Sequence, residues 1–223
     1  MKNKILQKLK NKIIVSCQPN EGSPQNKTNI IVSMAQTAIQ GGCGGVRIEG
    51  EKNIFAVKRK ISLPVIGIIK KDLENSKIRI TPLLKDVDKI IKSGADIIAF
   101  DATKRKRPFS TKEMISKIKK ANRLAMADCS NLDDAKNAVL EGVDIIGTTL
   151  AGYVGKQARD TDEPDLKLVK QFRKLNCFVI AEGRYNSPKL AKKAMLAGAD
   201  AVTVGSAITR IDNITNWFVK EIT

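Results

Sequence analysis

Short blocks in which apolar residues run together alternate along this chain with longer blocks in which they recur every three or four positions. The first pattern belongs to strands buried on both faces, the second to amphipathic helices packed over them. The clearest short block is Pro64-Val65-Ile66-Gly67-Ile68-Ile69, too apolar to alternate, and it stops at Lys70. A charged residue at the carboxy end of a buried parallel strand is where α/β enzymes place their chemistry. It is equally where a solvated loop begins, here with Lys71 and Asp72. The other blocks have to decide between these two readings.

The pattern predicts a short helix over 1–10, with Ile5 and Leu9 on one face. Strands are expected over 12–18, 45–49, 64–69, 96–101, 123–128, 144–148, 177–182 and 201–204. Helices fall between them, over 28–40, 51–60, 84–92, from Thr111, from Asn131 to Glu141, from Pro164 to Leu175 and from Pro188. Start signals are explicit. Ser110-Thr111-Lys112-Glu113 is a capping box, Asn131 is a cap, and Ser187-Pro188 joins a cap to a proline at the first helical position. Pro19 to Lys27 and Gly152 to Glu163 read as polar loops, and Lys77 to Pro82 as a short alternating arm.

An internal echo runs through the chain. Ser93-Gly94-Ala95-Asp96-Ile97-Ile98, Glu141-Gly142-Val143-Asp144-Ile145-Ile146 and Ala197-Gly198-Ala199-Asp200-Ala201-Val202 share one pattern, with Gly41-Gly42 as a looser fourth copy. A Gly closes a helix and an Asp leads into a strand. The glycines 94, 142 and 198 lie 48 and 56 residues apart, two strand–helix units per interval. Eight strands alternating with helices at about 25 to 28 residues per unit is the (β/α)8 (TIM) barrel pattern. The expectation is one barrel domain over 1–223. A doubly wound open sheet is the alternative, and no G-x-G-x-x-G after the first strand supports it.

Composition narrows the chemistry. No apolar run approaches the roughly 20 residues of a membrane span, and residues 1–12 lack a signal peptide's apolar core, so a cytoplasmic protein is expected. Cys17, Cys43, Cys129 and Cys177 are widely spaced and the chain has no histidine, which argues against a zinc site. Acid–base work then falls to Lys, Glu, Asp, Tyr or Cys, with pKa values moved by burial and neighbours. The net charge of +17 admits a nucleic-acid partner. However, lysine far outnumbers arginine, is spread over every expected helix and has no aromatic interleaving, so a lysine-rich surface that attracts an anionic metabolite is the favoured reading.

In a barrel, the active site lies at the carboxy ends of the strands. Those ends carry Gln18, Arg47 with Glu49, Lys70, Asp101, Asp128, Thr148-Thr149, Glu182 with Arg184, and Gly205-Ser206. Arg47 lies between Val46 and Ile48, so alternation points it inward, where a buried charge needs partners such as Glu182, Asp128 or a ligand anion. Val204-Gly205-Ser206-Ala207-Ile208-Thr209-Arg210 has the form of a phosphate site after the eighth strand, with Gly183 after the seventh as its other half and Arg210 as a charged contact. Lys104-Arg105-Lys106-Arg107 lies on the same face, either solvated or guiding an anion in.

These segments, with Ile14-Val15-Ser16-Cys17-Gln18, Asp101-Ala102-Thr103, Ala125-Met126-Ala127-Asp128, Gly147 to Tyr153 and Ala181-Glu182-Gly183-Arg184, resemble the bacterial N-acetylmannosamine-6-phosphate 2-epimerases over essentially the whole chain. The resemblance implies a (β/α)8 barrel that interconverts N-acetylmannosamine 6-phosphate and N-acetylglucosamine 6-phosphate in sialic-acid catabolism, without metal or organic cofactor. It places the catalytic lysine on Lys70 and its acidic partner on Glu182, and substrate binding on Gln18, Arg47, Asp128, Gly183, Gly205, Ser206 and Arg210. Lys70 as a Schiff-base former in another phosphate-binding barrel is the rival enzyme reading. A nucleic-acid-binding protein is the rival of another class. The last helix, with Trp217 and Phe218 adjacent, carries more apolar surface than one barrel face needs and is expected to form a homodimer contact. No nucleic acid and no membrane are expected as partners.

Overall fold

A computed structural model describes residues 2–154 and 163–223. The middle of the expected Gly152–Glu163 loop lies outside the described residues. Eight parallel strands, each paired with the next and the last with the first, close into a barrel. They are β1 (Lys12–Cys17), β2 (Gly45–Glu49), β3 (Val65–Ile68), β4 (Ile97–Asp101), β5 (Leu124–Asp128), β6 (Ile145–Gly147), β7 (Phe178–Glu182) and β8 (Ala201–Val204). The alternative of an open sheet is thereby excluded, since β1 pairs with β8 from Lys12↔Ala201 to Val15↔Val204.

Alternation along each strand separates two cores. Ile14, Ile66, Ile68, Ile97, Leu124, Met126, Ile145 and Ile180 fill the barrel, and helix α1 (Lys2–Leu9) plugs its floor with Leu9 and, less deeply, Ile5. Val15, Val46, Ile48, Val65, Ile98, Ala125 and Val202 face outward under the surrounding helices. Those helices are α2 (Thr28–Gln40), α3 (Glu51–Lys58), α4 (Leu84–Lys92), α5 (Thr111–Lys120), α6 (Leu132–Leu140), α7 (Leu166–Phe172) and α8 (Pro188–Leu196). The capping box forms as read: the Glu113 backbone donates to Ser110 Oγ, and Glu113 accepts from the Ser110 N–H. Asn131 and Ser187 also accept the N–H groups expected of N-caps. The seventh helix starts two residues later than Pro164, because the Asp165 side chain caps it by accepting from Leu168 N–H.

The echo has a physical cause. Asp96, Asp144 and Asp200 stand at the starts of the even strands, and each exchanges two hydrogen bonds with the first residues of the odd strand before it. Their carboxylates accept from the N–H groups of Val65, Ala125 and Val179, each at 2.9 Å. Their own N–H groups donate to the carbonyls of the same three residues. The turn into each aspartate needs a left-handed residue, supplied by Gly94, Gly142 and Gly198 with φ of 87°, 84° and 105°. The fourth copy departs where expected. Gly42 keeps the turn at φ 86°, but Gly44 replaces the aspartate, and a Cβ there would lie 2.5 Å from Lys12 Cβ. Lys12 at the start of β1 and the Lys8 carbonyl of the floor helix leave no room for a carboxylate.

Asp144→Ala is expected to cost about 1.5–3 kcal/mol, the value of a hydrogen bond to a charged group, with Asn restoring part of it. Urea unfolding of the two variants measures this.

Candidate active site

The inward-facing positions at the carboxy end of the barrel break the apolar pattern. Ile14 is followed inward by Ser16 and Gln18, Ile68 by Lys70, Met126 by Asp128, Gly147 by Thr149 and Ile180 by Glu182, while Arg47 holds the inward place on β2. Period-two geometry alone therefore brings these side chains to one mouth.

Arg47 is the centre of the cluster. It is 1% exposed, and its guanidinium donates from Nη2 to Asp128 Oδ2 at 2.6 Å and from Nη1 to Asp128 Oδ1 at 3.1 Å. Nη1 also donates to Glu182 Oε2 at 3.0 Å. Asp128, fully buried, accepts a further bond from Thr149 Oγ1 at 2.6 Å. Burial works against the charge on Arg47, and the two carboxylates more than restore it, so the guanidinium stays protonated. Burial pushes the Glu182 carboxyl up. Arg47 pulls it down, Asp128 pushes it up again, and the outcome lies above the ordinary carboxylate range.

Lys70 stands at the rim, with its side chain still open to solvent on one side. Enclosure by the mouth lowers its pKa, and the cations of Arg47 and Arg210 lower it further against the opposing pull of Glu49. Solvent access moderates this shift, since exposed charges are screened. The Lys70 N–H approaches Glu49 Oε1 at 3.4 Å. A cavity of about 580 Å³ opens here, lined by Gln18, Glu49, Asn53, Lys70, Arg79 and Arg210 among others. A larger hollow of about 760 Å³ lies on the flank beside α2 and is mostly apolar. None of the strand-end ionisable residues lines it, so the polar mouth is the site.

The far side of the mouth is formed by the β7 and β8 ends, held side by side by the Glu182↔Thr203 pairing. Gly183 has φ of 106°, which requires glycine. Gly205 has a negative φ of −112°, and a Cβ there would meet Ser16 Cβ at an ordinary 3.5 Å. A positive φ therefore does not demand glycine there. A short helix, α9 (Ser206–Thr209), follows, and its first N–H groups have no partner within the helix. Arg210 closes the edge by donating from Nε to the Gln18 carbonyl at 3.0 Å, while Gln18 donates to Ser16 Oγ at 2.8 Å.

The residues expected at the site thus gather at one mouth, with Lys70, Gln18 and Arg210 around the cavity, Arg47, Asp128 and Glu182 in the charge cluster, and Gly183, Gly205 and Ser206 opposite. Asp101 and the basic run behave differently. Asp101 accepts from Thr103 Oγ1 at 2.7 Å and from Arg105 Nη2 at 2.5 Å, and Arg107 donates to the Asp101 and Phe109 carbonyls. Two of the four basic residues are consumed in folding their own loop. Thr149 and Glu49 were visible as strand ends but not singled out as site residues. Counting alternate positions onward from Ile145 and Arg47 would have found them. Among the described residues, no group of three or more Cys, Asp or Glu side chains is gathered as metal ligands.

Fold and mouth together define a (β/α)8-barrel enzyme with a lysine and a carboxylate facing an anion-ready rim. A family model described as "Putative N-acetylmannosamine-6-phosphate epimerase" (NanE) matches residues 31–223. The chain belongs to this family. It is 52% identical over 220 residues to the "Putative N-acetylmannosamine-6-phosphate 2-epimerase" of Yersinia pseudotuberculosis serotype O:3 (strain YPIII), covering 99% of this chain and 94% of that one. The protein of the same name in Haemophilus influenzae (strain ATCC 51907 / DSM 11121 / KW20 / Rd) is 45% identical, with 98% of this chain and 95% of that one covered. The solved N-acetylmannosamine-6-phosphate 2-epimerase from Clostridium perfringens superposes with a TM-score of 0.94 at 39% identity, covering 97% of this chain and 95% of that one.

Arg47→Met is expected to cost about 3–5 kcal/mol of stability, because it leaves Asp128 and Glu182 buried without their counter-charge. Chemical denaturation at neutral pH tests this, and Arg47→Met combined with Asp128→Leu should recover part of the loss.

Proposed function

We propose that this protein interconverts N-acetylmannosamine 6-phosphate and N-acetylglucosamine 6-phosphate by removing and returning the proton on C2, as part of sialic-acid catabolism. The observation that carries this reading is Lys70, an amine whose surroundings favour its neutral form, at the mouth of a family barrel. In the open-chain sugar, C2 is next to the C1 aldehyde, so its proton is weakly acidic and its loss places negative charge on the C1 oxygen as an enolate. Lys70 Nζ takes the proton. Donors at the rim stabilise the oxygen, and return of a proton to the opposite face of C2 gives the epimer. Glu182, whose pKa burial raises and Arg47 lowers, is assigned the second proton exchange, with a sugar hydroxyl or with C2. The carboxylate–guanidinium contact keeps it in place.

The phosphate is assigned to the Gly183 and Gly205-Ser206 edges, with Arg210 beside them. Backbone N–H groups there suit an anion, and the overall charge of +17 favours its approach. Gln18 is assigned to the sugar. No step in this scheme calls on a metal or an organic cofactor. A charged sugar phosphate is retained by membranes, and the four cysteines are free thiols. Both features favour a cytoplasmic setting. No helix among the described residues is long and apolar enough to cross a membrane.

We also assign a homodimer. The last helix, α10 (Ile211–Ile222), buries none of its residues, and Phe218 and Ile222 are 70% and 83% exposed. The apolar hollow beside α2, lined by Ile13, Ile30, Met34, Ala38 and Ile208, adjoins it. A second copy covering this surface satisfies both. Phe218→Asp is expected to convert a dimer to monomer in sedimentation velocity, and a monomeric wild type at micromolar concentration would exclude the assignment.

In deuterated water, wild-type enzyme should exchange the C2 proton of N-acetylmannosamine 6-phosphate as the epimer forms, read by NMR. Lys70→Ala should fold normally and lose both, and near-normal exchange in that variant would sink the lysine assignment. Because the base must be neutral, kcat should rise with pH through the Lys70 pKa, which lies below its ordinary 10.5, and fall away on the acid side.

A further inference from the structure

The two strands around Lys70 do not run together to the top of the barrel. β3 and β4 pair only at Ile66↔Ile97 and Gly67↔Ile98, whereas β4 and β5 pair at five positions. Above that point the chain leaves β3 at Ile69, makes an excursion, and returns as an inserted segment that fills the gap. Ile80 bridges Lys70 in the antiparallel sense, and Lys71 N–H donates to the Arg79 carbonyl at 3.0 Å. On the other side, Asp101 N–H donates to the Ile80 carbonyl at 3.0 Å. Ile78 and Ile80 are buried, Ile80 inside the barrel.

Thr81 ends this wedge, and it is anomalous. It is fully buried and has φ of 47°. A β-branched residue in the left-handed region is strained, and such strain collects where function fixes the backbone. Glycine or asparagine fits that conformation more easily, so the feature that threonine adds is its hydroxyl. That hydroxyl donates to the Ala99 carbonyl on β4 at 2.7 Å and accepts from Ile69 N–H at 3.3 Å, while the Thr81 N–H donates to the Ile69 carbonyl at 2.7 Å. Both peptide groups of the residue preceding Lys70 are thus tied to Thr81, and Thr81 is tied to the neighbouring strand.

We infer that Thr81 is a positioning residue for the epimerisation, its hydroxyl pinning the backbone at Ile69 so that the Lys70 amine is held at the mouth beside Arg47 and Arg210. The inference rests on the assignment of Lys70 as the C2 base. Lys70 is faced by Arg47 and Glu49 from β2, by Lys71, Asp72 and Arg79 from the inserted arm, by Glu182 from β7 and by Arg210 beyond α9. Release of the backbone lets the amine swing from the enclosed cations toward solvent, so its pKa rises and the acid limb of kcat moves to higher pH.

The test uses the full-length enzyme with three substitutions. Thr81→Ser keeps the hydroxyl and is expected to retain kcat within about threefold and the wild-type pH limb. Thr81→Gly removes the hydroxyl but suits the backbone conformation, and Thr81→Val keeps the shape without the hydroxyl's two hydrogen bonds. Each of these two, where it unfolds cooperatively on heating, is expected to lose kcat by tenfold or more with KM changed by less than threefold, and to shift the acid limb upward. A folded Gly or Val variant with wild-type kcat and pH limb overturns the inference, as does a Ser variant as impaired as Gly. Lys70→Ala, assayed for C2 exchange alongside, separates the two ideas. If it still exchanges, the Lys70 assignment fails; if it does not, a normal Gly variant counts against Thr81 alone.

Discussion

One guanidinium held between two carboxylates inside an apolar barrel governs the rest of this molecule. Arg47, Asp128 and Glu182 come from β2, β5 and β7, so the contact ties three separated staves of the barrel across its interior. Such a cluster is costly to bury and is sustained only by close geometry and further hydrogen bonds, which Thr149 helps to provide. Below it the interior is apolar, with Met126 and Phe178 among its aliphatic side chains, and sealed by α1. The charges are therefore confined to the upper layer, where they act on whatever enters the mouth.

The cluster also sorts the two ionisable groups that carry the proposed chemistry. Lys70 is moved toward neutrality by enclosure and by the cations near it, and Glu182 is moved toward neutrality by burial and by Asp128. The two shifts bring the amine and the carboxyl closer in proton affinity, in a chain without histidine. Arg47 acts on both groups in opposite senses. It disfavours the lysine's charge and favours the glutamate's, alongside the larger effect of burial on each.

Much of this was legible in the sequence, for reasons that differ by element. The barrel was legible because buried parallel strands and packed helices have different periods, and because Gly-x-Asp recurs wherever an even strand must staple the odd strand before it. Arg47 was legible because a charge between Val46 and Ile48 cannot avoid the interior. The roles of Lys70 and Glu182 came from family resemblance and not from pattern. What was hidden depends on contacts between distant segments. The segment at Lys77–Pro82 read as a short alternating arm, yet it is a wedge between β3 and β4 beside Lys70, and nothing local to Thr81 announces a positive φ. The basic run at 104–107 read as either solvated or guiding an anion in, whereas Arg105 and Arg107 turn back onto Asp101 and their own loop.

The aspartate staples on the barrel floor bear on how the chain is made. Each joins residues separated by 31, 19 or 21 positions, so each can close soon after its second strand leaves the ribosome. Contacts this local make for quick, stepwise assembly. Three of the four strand pairs carry the whole latch, and the first, with Gly44 in its place, keeps only the backbone half, Gly44 N–H to the Ile13 carbonyl at 2.9 Å. The start of β1 is also tied to the other end of the chain: the Asn11 N–H donates to the Asp200 carbonyl at 2.7 Å, and β1 pairs with β8. The last strand synthesised thus completes the first, and the mouth that gathers residues from every part of the sequence exists only once the ring is shut.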